Sequence, residues 1–465
     1  MRTLIVVVFL AVLGAGGAYV WAGQAAGPAI QIVNPAKFAG ASTPFEVLVD
    51  APGRRLTSLR IAFEQNGVET PLVTVGAAAD VTPTGGASQA KVTEEGTDRT
   101  RVAGLVGRQQ VPGLKSGAAR LVVTAVRPVL FGLREAAMTA TRDIRVRLEP
   151  PRTSVLSTHH YVNQGGSEMV VYRAEPTDVQ SGVIVGDVEY AGYPASGITI
   201  EGVHITDPAI RVCFFALLYN QDLGTKIRLF ARDEAGNETQ ADLDFRAFPK
   251  PFKTSRIDLD DKFLDRVVPA ILAGTTEIAP AGSTIDRYIA INGDLRRKNA
   301  EKIASFAKGS APELIWGAVP FHQFANTKVE AAFADQRTYL YKGAEVDHQV
   351  HLGFDLASFA ATPIVAANRG KVVFAEMLGI YGNAVIIDHG MGVQSLYAHL
   401  SVLEVKPGAS VEKDQQIGRS GITGLAAGDH LHFTMLVGGH MVNPIEWWDP
   451  HWVQDRIVRK LKDAR

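Results

Sequence analysis

Hydrophobic and polar positions alternate along this chain in rhythms that change from one stretch to the next. The first stretch has none. After Arg2 the twenty residues from Thr3 to Ala22 carry no charge, and the next charge is Lys37. Such a run is long enough to cross a bilayer as a helix. It also reads as a secretory leader, with Arg2 as the charged region, Leu4 to Leu13 as the apolar core and small residues around Ala22 to Ala26 as the cut site. Segment 1–26 is therefore a signal peptide or an N-terminal membrane anchor, and either one exports the rest of the chain.

From 27 to 150 the period becomes two. Phe45 to Val49 and Leu121 to Val126 are β-branched-rich runs between turn residues. Ile144, Val146 and Leu148 alternate with Arg145 and Arg147, which marks a strand with one wet face. Pro150 and Pro151 then punctuate the chain. The next β-rich stretch, 151–249, contains a hairpin: Ile227, Leu229 and Ala231 lead into Asp233 to Asn237, and Ala241, Leu243 and Phe245 lead out. Two stretches of about 100 residues with short strands predict two β-sandwich units of immunoglobulin-like kind.

Between 250 and 345 the pattern turns helical. Asp260 or Asp261 caps a helix carrying Phe263, Leu264, Val267, Val268 and Ile271, with Pro269 inside it. A second helix runs from Leu295 to Phe306. This helical connecting region either packs on the domain after it or covers that domain's active site as an inhibitory segment. Strands return over 346–444, with glycine-rich turns at 379–383 and 418–424. A helical tail, 445–465, carries Trp447, Trp448 and Trp452, whose rings dock it. The expected fold class is mainly β and multidomain.

Composition changes this picture in three places. A chain of 465 residues is too long for one core. A net charge of -1 provides no field of one sign and speaks against nucleic acid as a partner. Cys213 is the only cysteine, so no intrachain disulfide forms. That fits an exported bacterial protein built without disulfides as well as it fits the cytosol.

The chemistry lies in the last quarter. His351-Leu352-Gly353-Phe354-Asp355, Tyr397-Ala398-His399-Leu400 and His430-Leu431-His432-Phe433 supply a His/Asp/His ligand set for one metal ion, with two histidines to spare. Three protein ligands and an open fourth position distinguish catalytic from structural zinc. His351 and Asp355 share a face if helical. In an extended strand they would stand about 13 Å apart, too far for one ion unless Gly353 permits a bend. His430 and His432, two apart, point to one face of a strand, so that one binds metal while its neighbour faces the substrate. Tyr397 and His399 have the same spacing on another strand, where Tyr397 either packs or lends a hydroxyl. His389 reads as a hydrogen-bonded turn residue, and nothing in the spacing of His159, His160, His322, His348 or His440 joins them to the motifs.

Those motifs, in that order, resemble the catalytic domain of the lysostaphin-type zinc metallopeptidases. Thr362 to Ala367, Gly370 to Val373, Tyr381-Gly382-Asn383, Ile387 to Gly390, Val405 to Gly408, Ile417-Gly418, Thr423-Gly424 and Asn443-Pro444 extend the likeness over 346–444. The resemblance implies an antiparallel-β metallopeptidase domain with one zinc ion. It implies His351, Asp355 and His432 as zinc ligands, His430 as general base and His399 as transition-state stabiliser, two roles that sequence does not assign between them. It implies peptidoglycan as the partner, cleaved at peptide cross-links in the periplasm or cell envelope, with the cytoplasmic membrane as a second partner if residues 3–22 are kept. The rival reading is a regulator of cell-wall amidases that uses the same fold. Such relatives typically lack part of the site, whereas all five positions are present here.

Overall fold

The computed structural model describes the chain except for Met1, 52–55, 77–80, 84–89, Ala325 and Arg465, and the side chains of 2–4 and 81–83. Strands dominate. The chain divides into two compact units, one of Met1–Pro151 with Arg232–Thr239, the other of Arg152–Ala231 with Gln240–Arg465.

The first unit opens with the helix Arg2–Ala22, whose Ile5–Ala22 window is long and apolar enough to cross a membrane. Two sheets follow. One has four strands in the order Ala29–Asn34, Thr43–Asp50, Arg99–Val106, Lys91–Glu95; the other has six, built around the paired thirteen-residue strands Gly117–Val129 and Arg134–Val146. Alternation explains their stacking. Phe45, Val47 and Val49 from one sheet share a buried cluster with Leu121, Val123, Ala125, Ile144 and Val146 from the other. That is two sheets over one core; the strand orders do not establish an immunoglobulin topology.

The second unit begins with a four-stranded sheet in the order Arg152–Val155, Ser167–Glu175, Ile210–Ala216, Tyr193–Pro194. Ile210–Ala216 is buried along its whole length, as a strand covered on both faces requires. Part of its cover is the C-terminal tail. Trp447 is fully buried, packs on Phe214 and donates its indole N–H to Ser167 Oγ at 3.3 Å. Lys460 Nζ donates to Glu168 Oε1 at 2.6 Å and to the Met169 carbonyl at 2.8 Å, with both charged side chains buried. Removing one member of such a pair strands the other in a medium that solvates it poorly. Lys460→Met is expected to destabilise the unit by about 3–5 kcal/mol in chemical denaturation, and a loss under about 1 kcal/mol would contradict this.

Two sequence expectations need correction here. Phe245 does not continue the outgoing hairpin strand, which ends at Asp242. The chain changes partner, and Phe245–Phe248 pairs in parallel with His160–Asn163. Nor is 250–345 helical throughout. The helices are present: Asp261–Ala273, where Asp260 caps by accepting from the Phe263 N–H at 2.7 Å, then Thr284–Ala290 and Arg296–Phe306. Strands flank them, however. Thr254–Leu259 pairs in parallel with Asp335–Tyr341, which pairs antiparallel with Ala344–His351. These runs are short and rich in Thr, Tyr and Arg, so they borrow their stability from neighbours rather than from a hydrophobic alternation of their own.

The site rests on an eight-stranded sheet. Its order is Lys328–Ala331, Phe354–Ala357, Leu431–Val437, Val393–Leu400, Asn383–Gly390, Gly370–Met377, Ser410–Val411, with His440–Val442 paired beside Leu431–Val437. Leu431–Val437 and Val393–Leu400 are buried along their entire lengths, so side chains on both faces are held by packing.

Candidate active site

Breaks in strand regularity bring the chemistry together. His351 ends a strand of the three-stranded sheet, and Asp355 sits in a strand of the eight-stranded one. Their spacing is therefore neither a helical turn nor one extended run; it is the step between two sheets. Gly353 within that step serves by its size. A Cβ there would stand 2.5 Å from His432 Cε1 and Nε2, and its absence lets the ring in. Asp355 lies directly opposite His432 in the antiparallel pairing.

His399 arrives by a different distortion. In the register Ala398 is opposite His432, so simple alternation would turn His399 to the far side with Tyr397. Tyr397 does lie there: its ring packs on Phe433 at 5.3 Å between centroids, and its hydroxyl accepts from the Ala367 N–H at 2.7 Å. It lends nothing to the site. His399 adopts φ +64°, in the left-handed region, and its ring comes to 4.9 Å from that of His430 and 5.8 Å from that of His432. Such strain in a non-glycine residue costs about 1 kcal/mol and concentrates at functional sites.

Three ligand atoms converge. His351 Nε2, Asp355 Oδ1 and His432 Nδ1 lie 2.9–3.0 Å from one another. His351 Nδ1 stands 3.2 Å from the Ala332 carbonyl, an acceptor, so Nδ1 carries the proton and Nε2 presents a lone pair. His399 and His430 are oriented likewise, their Nδ1–H groups donating to the carbonyls of Thr423 at 2.7 Å and Gly428 at 2.8 Å. Both then turn Nε2 inward, and that of His430 is 3.4 Å from Asp355 Oδ1.

Electrostatics follow from this crowding. Burial pushes the Asp355 carboxyl up, but the imidazoles of His351, His430 and His432 crowded around it outweigh burial and hold the group well below the carboxylate range. Burial brings His432 down to about 4, which keeps it neutral. Burial, with His430 and His432 beside it, drives His399 well below its ordinary value. His430 is buried too, yet its hydrogen bond to Asp355 raises it on balance.

The donor set fits a divalent metal. Two lone-pair atoms and an imidazole nitrogen with at most one proton face each other at distances that like-charged dipoles avoid. The separations approach the edge of about 3.3 Å in a tetrahedron of zinc–nitrogen bonds. Two neutral imidazoles and a carboxylate are zinc's usual catalytic ligands.

The site opens into a cavity of about 390 Å³. Part of its wall comes from the 250–345 segment, through Leu259, Phe263, Tyr288 and Arg296. Arg266 Nη2 donates to the Ala426 carbonyl at 2.7 Å and fastens that wall to the loop before His430. Leu264, Val267, Ile271 and Leu295 are buried in the same core as the catalytic strands. The segment thus lines the cleft and packs on the strands that carry the site.

Sequence reasoning missed Arg337. Its Nε and Nη2 bind Asp335 Oδ2 at 3.2 Å and Asp355 Oδ2 at 3.3 Å, holding the carboxylate so that Oδ1 faces the histidines. The signal was there, as an arginine close to one aspartate and eighteen positions before another, but only strand pairing reveals it. Arg337→Gln is expected to lower metal affinity about 10–100-fold, the usual effect of losing a ligand's outer partner. Titration with a competing chelator reads it, and unchanged affinity would remove Arg337 from the site.

None of the remaining histidines lines the cavity. His389 lies in a strand rather than a turn, fully buried between the Arg369 carbonyl at 2.8 Å and Ser395 Oγ at 2.7 Å. His322 pairs with Asp414 at 2.6 Å, His160 sits between Ser157 and the Asp244 carbonyl, and His348 is exposed.

The family described as Peptidase family M23 matches residues 349–444, which contain all five site residues. These residues form an M23 peptidase domain. The M23 domain is 41% identical over 97 residues to a DD-carboxypeptidase/endopeptidase, Mpg, of Neisseria meningitidis, and 40% identical over 96 residues to a peptidoglycan DD-endopeptidase, ShyA, of Vibrio cholerae. Each match covers 21% of this chain and 22% of the relative, so the chain spans about a fifth of the length of the curated relatives it matches. A crystal structure of an M23 peptidase from Pseudomonas aeruginosa aligns with 62% of this chain and 94% of its own, at 20% identity and a TM-score of 0.37. The wall residues Arg337 and Arg296 lie outside the M23 match.

Proposed function

We propose that this chain is an exported, zinc-dependent endopeptidase that hydrolyses peptide cross-links of bacterial peptidoglycan. The observation that carries the reading is the convergence of His351, Asp355 and His432 on one point, with His399 and His430 turned toward the same cavity. The relatives named for peptidoglycan endopeptidase activity over the same residues support the substrate class. The apolar helix at the N-terminus supports export.

His351, Asp355 and His432 would hold one zinc ion, which supplies Lewis acidity toward a peptide carbonyl and toward water. The chain's own residues do the rest. Arg337 fixes the Asp355 carboxylate, and the Ala332 carbonyl fixes the His351 tautomer. His399 and His430 share two tasks: accepting the proton of the attacking water at Nε2 and, once protonated, donating an N–H to the developing oxyanion or the leaving amine. We assign His430 as base and His399 as stabiliser. Both are oriented by carbonyls in advance, so little reorganisation accompanies the reaction. The amidase-regulator reading gains nothing from a site with every member in place.

Digestion of diaminopimelate-type peptidoglycan by the zinc-loaded full chain tests the proposal, with muropeptides read by mass spectrometry. Loss of cross-linked dimers is expected. Dimers that persist although zinc content is verified would overturn it.

A further inference from the structure

The tip of the long hairpin in the first unit carries an apolar display that its own fold does not use. The strands Gly117–Val129 and Arg134–Val146 are paired from end to end, and Leu130–Gly132 joins them. Phe131 is 102% exposed and Leu133 72%. Leu130 and Phe131 both have positive φ, 49° and 56°, where side chains are strained and glycine is preferred. Single exposed apolar residues are ordinary on a protein surface. A fully exposed phenylalanine held outward by two strained residues is not.

The neighbourhood of the tip identifies the partner. The helix Arg2–Ala22 is about 31 Å long, the thickness of a bilayer's hydrocarbon core. It bares its apolar side chains all round, as a lipid-facing helix does. Its last turns carry Tyr19 and Trp21, 50% and 77% exposed, the residue types that settle at a membrane–water boundary. The hairpin docks on that end of the helix. Ala22 clusters with Val129 and Ala136, and Arg134 donates to the Tyr19 carbonyl at 2.6 Å with its guanidinium 4.4 Å above the Tyr19 ring. Arg127 donates through Nε and Nη2 to the Ala26 carbonyl at 2.9 and 2.7 Å. Phe131 and Leu133 therefore stand level with the aromatic end of the helix, where a bilayer surface would lie. The contacts at Tyr19, Ala22 and Ala26 surround the stretch where a leader would be cut, and they fix it against folded structure.

We propose that the helix is retained as an anchor and that the hairpin tip is a second membrane contact, seating Phe131 and Leu133 in the interface of the leaflet facing the domain. The inference rests on the export part of the reading above and not on the hydrolase assignment, so the two fail separately. Together the contacts make a two-point footprint, which fixes the first unit's tilt on the membrane as a single helix would not.

The test uses the full chain in lipid vesicles. Cys213 is buried, so a fluorophore reacts with an introduced cysteine. F131C and L133C place it at the tip. V68C places it at the exposed start of the strand Val68–Gly76, at the far end of the same sheet, since Glu64 pairs with Arg120 about 30 Å from Val129 along the strand. Labels at 131 and 133 are expected to lose most of their emission to nitroxide lipids and little to aqueous iodide, with the reverse at 68. Iodide quenching at all three positions would overturn the proposal, whatever occupies the tip instead. Intact mass of the exported protein gives a second reading: a chain beginning after Ala22 overturns it, and one that keeps the helix supports it.

Discussion

His399→Ala protein is expected to bind zinc as the parent does and to hydrolyse cross-links about 10²–10⁴-fold more slowly. His399 contributes no atom to the converging triad. Its Nδ1–H is committed to the Thr423 carbonyl, and its ring touches those of His430 and His432 at their edge. Removing the imidazole takes away a positioned proton carrier and leaves the ligands' own hydrogen bonds intact, so the loss falls on turnover. Zinc content by elemental analysis and dimer loss by mass spectrometry separate the two effects. Parent-level hydrolysis would take His399 out of the chemistry; lost zinc would make it a structural support of the ligands instead.

His432→Ala should do the opposite, abolishing metal retention first and activity as its consequence. His432 Nδ1 is within 3.0 Å of both other ligand atoms. Its loss leaves two ligands for an ion that takes three. The fall in zinc affinity should exceed the about 10–100-fold expected for an outer partner such as Arg337. Melting curves add an independent readout. Zinc that binds only the folded parent raises its Tm in proportion to the logarithm of zinc concentration, and the variant should show no such rise. A variant that still responds to zinc would mean that the ion is held elsewhere.

The residue types of the site were legible in the sequence, whereas their geometry was not. The family resemblance picks out His351, Asp355 and His432 as the ligand set, but period-two and helical arithmetic both misplace the first pair, because the chain changes sheets between them. The same arithmetic put Tyr397 beside His399; one positive φ separates them. Gly353 was noticed for flexibility and matters for the volume a Cβ would fill. Phe45 to Val49 and Leu121 to Val126 are legible as strands from their β-branched runs, and Ile144 with Val146 from alternation, since one buried face is what that pattern encodes. Thr254–Leu259 and Asp335–Tyr341 escaped because partners distant in sequence, not their own composition, make them strands. Arg337 escaped with them.

The left-handed backbone at His399 has a consequence for how this chain can change. The imidazole is held in a conformation that costs the fold about 1 kcal/mol and that glycine or asparagine would accept more readily. On the role proposed for His399, replacing it would relieve the backbone and take away the reaction together. A population of variants selected only for surviving heat would therefore drift toward an inert descendant at this position, and a sequence carrying glycine there would record stability won after catalysis had ceased to matter.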